Sequence, residues 1–190
     1  MSLTTLEIES LIELCKKGNQ QAQMEVYNRY YKAMYNVAYR IVRDSFEAED
    51  IMQDSFLKAF RKLDTLREPS TFGVWLKRIV VNKSIYTYNK TKSKKEESID
   101  QKLYKLKVVQ DDEQDNEGRL KQKAKMVMKK IDELKDNYRM GLTLHLIEGY
   151  DYDEISEIMD ISYGNCRTMI SRAKESLRSK LQPLINYNEG

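Results

Sequence analysis

The sequence predicts an all-α fold with two helical domains joined by a flexible linker, the second domain carrying a helix-turn-helix. Three observations lead to this prediction. The 190 residues include only 7 Gly and 2 Pro, and 33% are charged, a composition that favours helix. Apolar residues recur every three or four positions along most of the chain, without the alternation typical of strands. One charge-rich stretch, residues 93–113, loses this spacing.

The N-terminal domain is predicted to cover residues 1–92 and to contain four helices. Gly18 ends a short first helix, and Asn19 can cap the long amphipathic helix that follows it. Ser45 can cap a third helix, and after a loop the fourth helix begins near Thr71. Four amphipathic helices of this kind can enclose one apolar core.

Residues 93–113 are predicted to form the linker, and residues 114–190 to form the C-terminal domain. In that domain residues 151–160 carry only acidic charges, and the residues from there to Lys180 are mainly basic, although the whole chain has a net charge of only +3. Two helices joined by a short turn, the second of them basic, are typical of a helix-turn-helix. Ser162 can cap the second helix.

The basic helix is predicted to have one buried and one exposed side. The residues at i, i+4, i+7 and i+11, which should face inward, are Cys166, Ile170, Ala173 and Leu177. On the other side, Arg can donate two hydrogen bonds to guanine in a major groove, and Asn or Thr can contact other base edges. An isolated basic helix is more often a solvated face, but the turn, the cap and the change of charge together favour DNA binding. The candidate DNA-binding residues are Asn165, Arg167, Thr168, Ser171, Arg172 and Lys174.

The third helix has a second organised face, on the side away from its apolar stripe. Its members, at i, i+3, i+4 and i+7, are Asp50, Gln53, Asp54 and Leu57. Paired carboxylates can act in acid–base catalysis, but neither a nucleophile nor a metal-ligand pattern accompanies them. The face is therefore either an ordinary exposed surface or a docking surface for a basic helical partner.

The fourth helix continues into a basic segment that also contains aromatic residues. Lys83 lies there with several further lysines, and Tyr86 and Tyr88 stand between them. Basic residues can follow a phosphate backbone while aromatic rings stack on unpaired bases. Trp75, at the start of this helix, is expected in the core instead.

Three motifs follow one another along the chain. They read AEDIMQDSFLKAF, FGVWLKRIVVN and EGYDYDEISEIMDISYGNCRTMISRAKESLRSKL. Together they resemble the bacterial sigma factors of the extracytoplasmic-function (ECF) group, over both helical domains and in the same order. The resemblance implies a promoter-specificity subunit of RNA polymerase, with core RNA polymerase and promoter DNA as partners and an anti-sigma protein as a further expected partner.

The resemblance also implies roles for individual residues. Asp50, Gln53 and Asp54 would dock on the clamp helices of core polymerase, and Leu57 completes that face. A loop from residue 66 to 70 would capture a flipped base of the −10 element. The residues assigned to the −10 element are Leu66, Arg67, Ser70, Arg78, Asn82, Lys83 and Tyr86. The residues assigned to the −35 element are Asn165, Arg167, Thr168, Ser171, Arg172 and Lys174.

The sequence departs from the family pattern at four positions. Leu66 stands where an aromatic residue is frequent, Glu68 and Asp160 stand where glycine is frequent, and Met169 stands where arginine is frequent. These differences concern the base-capturing loop and the helix-turn-helix. They affect which promoter sequence is expected more than the expected role.

Two other classes of function compete with this interpretation. A stand-alone transcriptional regulator would use only the C-terminal helix-turn-helix, and the face of the third helix argues against it. An enzyme would need a catalytic constellation, and none is found; His145 is expected to be a packing residue. We expect no cofactor, metal site or small-molecule substrate. The absence of an apolar run near the ~20 residues of a membrane span, and two isolated cysteines, indicate a cytoplasmic protein without membrane insertion.

Overall fold

The computed structural model describes residues 3–97 and 118–186, and all the regular structure in these two stretches is helical. The chain divides into two units, residues 1–106 and 107–190, and each has its own core. The prediction of an all-α protein with two helical units is therefore confirmed for the described residues.

Residues 3–97 of the N-terminal unit form four α-helices joined by short turns. They are α1 (Ile8–Lys16), α2 (Gln20–Val42), α3 (Ser45–Arg61) and α4 (Phe72–Glu97). Single 3₁₀ turns lie at Leu3–Thr5, Leu63–Thr65 and Pro69–Thr71. The largest side chains enclosed between the helices are Leu11, Ile12, Val26, Ile41, Phe56, Phe72 and Leu76. Burial of these side chains is the main force that holds the four helices together.

The caps of α2 and α3 fix where both helices begin. The Asn19 side chain accepts a hydrogen bond from the backbone N–H of Ala22 at 2.9 Å, as predicted. The cap predicted for α3 was wrong by one residue: Asp44 accepts from the N–H of Glu47 at 2.9 Å, and Ser45 is already helical. Asp44 takes this place because its backbone is extended, directly after Arg43 has closed α2 in a left-handed conformation.

Arg29 on α2 holds the N-terminal segment against the unit. Its guanidinium donates hydrogen bonds to the carbonyl oxygens of Leu3, Thr4 and Leu6 at 2.9–3.1 Å. The same side chain forms an ion pair with Glu25 at 2.8 Å. These hydrogen bonds attach the N-terminal 3₁₀ turn to α2.

Helix α4 extends beyond the boundary that the sequence suggests for the N-terminal domain. It ends at Glu97, so the first residues of the predicted linker 93–113 are helical. The remainder of that linker lies outside the described residues. Its limits, and the domain limits 1–92 and 114–190, stay predictions.

In the C-terminal unit, the described residues 118–186 form four α-helices and one π-helical turn. The α-helices are α5 (Gly118–Asp132), α6 (Asp136–Leu142), α7 (Tyr152–Met159) and α8 (Tyr163–Asn186), and the π-helical turn is Thr143–Ile147. The residues enclosed between them include Ile131, Leu142, Leu144, Ile155 and Ile170.

Helices α7 and α8 form the predicted helix-turn-helix. Asp151 and Glu154 form a capping box at the start of α7. Asp160 ends α7 in a left-handed conformation with φ 53°, which aspartate tolerates better than most residues other than glycine. The predicted cap of α8 is confirmed, because the Ser162 hydroxyl accepts from the N–H of Asn165 at 3.2 Å. The four predicted inward residues of α8 are all buried.

Candidate functional site

Helix α3 presents the predicted docking residues on one exposed side. Its buried side consists of Ala48, Ile51, Met52, Ser55, Phe56 and Ala59. Asp50, Gln53, Asp54 and Leu57 are all exposed on the opposite side. The Gln53 amide donates to the Glu49 carboxylate at 3.2 Å. We call Asp50, Gln53, Asp54 and Leu57 the α3 face. This face offers carboxylate and amide groups beside the apolar side chain of Leu57, which is 53% exposed.

One ion pair joins the α3 face to helix α4. The Lys83 ammonium lies 3.1 Å from the Asp54 carboxylate, and both side chains are partly exposed. Nearer the start of α3, the Thr91 hydroxyl donates to the Glu47 carboxylate at 3.1 Å. The two helices therefore run antiparallel, and a residue predicted to dock polymerase contacts a residue predicted to hold DNA.

The predicted −10 residues differ in exposure. Arg67, Ser70 and Asn82 are exposed, and Tyr86 is 64% exposed. Arg78 and Lys83 are half-buried. Leu66 is only 6% exposed, so its side chain belongs to the core and offers no surface on which a base could stack. Any base contact made by this loop would then come from its backbone or its exposed residues.

The loop that begins at Leu66 is held in place by two short turns. The Leu66 N–H donates to the Leu63 carbonyl at 3.1 Å. After the loop, the Thr71 hydroxyl donates to the Glu68 carbonyl at 2.8 Å. Phe72 then packs edge-on against Tyr30, with their ring centroids 5.5 Å apart. Trp75 is half-buried beside Phe72, 6.1 Å between centroids.

A shallow cleft of about 250 Å³ lies between α3 and α4. Its lining residues are Asp54, Ser55, Lys58, Arg61, Ile79 and Lys83. Three cations and one carboxylate give the cleft a positive charge that suits a phosphate group. The sequence analysis did not assign Lys58 and Arg61, although their spacing of four and seven residues from Asp54 places them on neighbouring parts of α3.

Helix α8 exposes five of its six predicted DNA-binding residues. They are Asn165, Arg167, Thr168, Ser171 and Arg172. Lys174 differs, because it is half-buried and its ammonium lies 3.2 Å from His145 Nε2 and 3.5 Å from the Tyr152 hydroxyl. The ammonium also lies 5.9 Å from the centre of the Tyr152 ring. This lysine thus contacts the π-helical turn and α7.

The contacts of His145 identify the nitrogen that carries its proton. Nδ1 lies 3.0 Å from the Tyr150 carbonyl oxygen, which can only accept a hydrogen bond. Nδ1 therefore donates, and Nε2 is left to accept from the Lys174 ammonium. His145 is half-buried and packs against Tyr152, with the two rings tilted by 45° and their centroids 5.0 Å apart, in agreement with the packing role predicted for it.

Two family models match the chain, Sigma-70 region 2 over residues 26–94 and Sigma-70 region 4 over residues 124–177. The chain is 32% identical over 187 residues to the ECF RNA polymerase sigma-E factor of Escherichia coli K12, which covers 92% of this chain and 94% of that protein. The chain belongs to the ECF RNA polymerase sigma factors. It thus acts in transcription by directing RNA polymerase to start at specific promoters.

Further comparisons agree with this family. The sigma-E factor of Haemophilus influenzae is 30% identical over 183 residues, covering 93% of this sigma factor and 96% of its own length. The structure of CnrH in complex with the cytosolic domain of CnrY matches with a TM-score of 0.54 and 21% identity, over 93% of this chain and 97% of that one. RpoE of Bartonella quintana, in complex with the anti-sigma factor NepR, matches with a TM-score of 0.56 and 20% identity, over 84% of this chain and 96% of that one. These solved structures have the same fold.

Both cysteine thiols of this sigma factor are buried. Burial raises the pKa of the Cys15 thiol to about 11 and also raises the pKa of Cys166, so both thiols stay protonated and poorly nucleophilic near neutral pH. Within residues 3–97 and 118–186, no three His, Cys, Asp or Glu side chains are grouped so that they could hold a metal ion. In the same stretches, no helix is long and apolar enough to cross a membrane.

Proposed function

We propose that the two units of this sigma factor divide promoter recognition between them. The N-terminal unit docks on core polymerase through the α3 face and holds the −10 element with the 66–70 loop and α4. The C-terminal unit reads the −35 element with α8. The proposed domain limits are 1–92 and 114–190, with a linker between them.

The α3 face is the observation that carries this proposal. Its charged residues are exposed on the side of α3 opposite the core, and they contact another helix through the surface ion pair of Asp54 with Lys83. A stand-alone regulator would need only the helix-turn-helix. A subunit of polymerase also needs a surface for the enzyme, and a carboxylate-rich helix face suits a basic helical partner.

For the −10 element, we propose that Arg67, Ser70 and Asn82 contact the DNA directly. Their side chains are exposed near the loop and on α4, and Tyr86 offers an exposed ring further along α4. Lys58, Arg61 and Lys83 line the neighbouring cleft and would attract the phosphates of a separated strand. Leu66 packs into the core of the N-terminal unit and so holds the loop in place.

For the −35 element, we propose that Arg167, Thr168, Ser171 and Arg172 face the major groove, with Asn165 at the start of the helix. All five are exposed on the side of α8 opposite its buried residues. Lys174, held by His145 and Tyr152, would position α8 against α7 as well as add positive charge. The acidic residues of α7 would keep DNA to one side of the unit.

We further propose that this sigma factor has no catalytic activity of its own and that it acts in the cytoplasm, where the polymerase is found. An anti-sigma protein is a proposed regulator. This is supported by the solved structures of the same fold, since RpoE of Bartonella quintana is bound to the anti-sigma factor NepR.

Transcription in vitro tests the proposal. Core polymerase is incubated with fragments of the source genome, with and without the protein, and the start sites are mapped. We expect a limited set of starts that requires the protein and shares −10 and −35 sequences. Asp54→Ala should reduce all of these starts together. If adding the wild-type protein creates no starts, the proposed function is wrong.

A further inference from the structure

Phe46, in the first turn of α3, is the most exposed of the large apolar side chains in the described residues, at 82%. The Asp44 cap fixes the start of α3 immediately before it, so Phe46 lies in ordered helix. Scattered apolar residues on a surface need no explanation. The exposure of Phe46 does have an explanation, which follows from its position relative to the α3 face.

Phe46 lies on the same side of α3 as the proposed docking residues. At 3.6 residues per turn, Phe46, Asp50, Gln53, Asp54 and Leu57 fall within about 100° of arc around the helix. The buried residues of α3 lie on the other side, centred on Ser55. Since the side chain of Phe46 points away from the core, the N-terminal unit cannot bury it without losing the packing of α3.

Two apolar side chains therefore bracket the charged middle of the face. Phe46 and Leu57 are separated by about 16 Å along the helix axis at 1.5 Å per residue. Asp50, Gln53 and Asp54 lie between them. Aromatic residues are enriched in protein interfaces relative to the rest of the surface, so the exposed Phe46 ring beside these charged groups is a candidate contact for a partner.

We propose that Phe46 is an apolar anchor for core polymerase, and that the polymerase segment bound on α3 is a helix with two apolar contact points about three turns apart and basic residues between them. The partner chemistry follows from charge complementarity, because the acidic side chains in the centre of the face need cations opposite them. This inference rests on the proposed docking role of α3 and extends it to the start of the helix.

The affinity of core polymerase for full-length variants tests the proposal. Phe46→Ala should raise the Kd by about tenfold or more, as truncation of a buried aromatic anchor does. Phe46→Leu should recover most of the affinity. Met24→Ala is the matched control, since Met24 is a 59% exposed apolar residue on another helix, α2, and it should change the Kd by less than about twofold.

Two measurements separate the possible failures. The effect of Phe46→Ala should persist when salt is raised from about 0.1 M to 0.5 M, whereas the effect of Asp54→Ala should shrink because charges are screened. An unchanged Kd for Phe46→Ala, with a raised Kd for Asp54→Ala, would overturn the anchor and leave the α3 face in place. If neither variant changes the Kd, the proposed docking role of α3 is itself wrong. A Phe46 effect that disappears at high salt would also contradict an apolar anchor.

Discussion

At the scale of single residues, two kinds of contact define the local geometry, namely side-chain caps at the starts of helices and pairs of side chains that are distant in sequence. Asn19 and Ser162 were predicted as caps because a cap depends only on a polar side chain and the next three residues. Asp44 and Ser45 are adjacent and both suit a cap, so the sequence did not separate them. The contacts of Lys83 with Asp54 and of Lys174 with His145 join residues 29 apart, and no local pattern signals them.

The Asp54–Lys83 ion pair leads to a prediction about docking. A carboxylate that binds a polymerase cation must first leave Lys83, and an exposed pair of this kind contributes up to about 1 kcal/mol. Lys83→Gln should therefore tighten binding to core polymerase by up to about fivefold. Lys90→Gln removes the same charge further along α4 and is the control. Weaker core binding by Lys83→Gln than by Lys90→Gln would show that the pair does not oppose docking.

The different surroundings of Arg172 and Lys174 predict different salt behaviour. Arg172 is exposed and Lys174 is held by His145 and Tyr152. If Arg172 holds a phosphate, Arg172→Gln should reduce the slope of log K against log salt by about one. If Arg172 reads a base, the loss should be about 1–3 kcal/mol at one promoter position.

Lys174→Gln should change the slope of log K against log salt less than Arg172→Gln does. It should also lower the melting temperature of the protein, because the contacts of Lys174 link α8 to α7. Binding to −35 DNA at several salt concentrations, together with thermal unfolding, measures both. A larger change of slope for Lys174→Gln than for Arg172→Gln would contradict this assignment.

At the scale of elements, the helices that form the core were predicted well and the ends of polar helices were not. α2, α3 and α8 carry apolar stripes that their buried residues follow. The end of α4 is lysine-rich, and a stretch without an apolar stripe gives the sequence no sign that the helix continues to Glu97. Leu66 was placed on a binding loop, and only the packing of the folded unit reveals that its side chain is buried.

The close approach of α6 and α8 predicts that a branched side chain at position 141 would crowd residues of α8. A Cβ atom there would lie 2.7 Å from Met169 Cε and 2.9 Å from Ile170 Cδ1. Gly141→Val should therefore overpack the C-terminal unit and destabilise it by about 1–3 kcal/mol. Gly164, in the first turn of α8, has no atom within 4 Å of an added Cβ, so Gly164→Ala is the control.

Thermal or urea unfolding of the Gly141→Val and Gly164→Ala variants gives the comparison. Gly164→Ala should leave stability unchanged or raise it by up to about 1 kcal/mol through helix propensity. Equal stability of the two variants would mean that the α6–α8 contact is looser than the structure has it. Met169 stands where the family often has arginine. Its side chain is half-buried because it packs against Gly141.

At the scale of the whole molecule, we propose that the N-terminal unit docks on polymerase and opens the DNA, and that the C-terminal unit recognises duplex DNA. The family followed from three motifs in series, and the all-α fold followed from the composition and the apolar spacing. The residue roles that the resemblance implies stay proposals, and the structure adds which of these side chains are exposed. Major-groove contacts from α8 exist only on duplex DNA, whereas opening requires groups that favour unpaired bases.

Permanganate footprinting of unpaired thymines tests this division most directly, with wild-type and Asn82→Ala holoenzymes on duplex and pre-melted bubble promoters. Asn82 is exposed on α4, in the other unit from α8. Asn82→Ala should bind core polymerase and the −35 element normally, yet show weak thymine reactivity on the duplex and normal reactivity on the bubble. Equal reactivity of the two proteins on duplex DNA would contradict the assignment of opening to this part of the N-terminal unit.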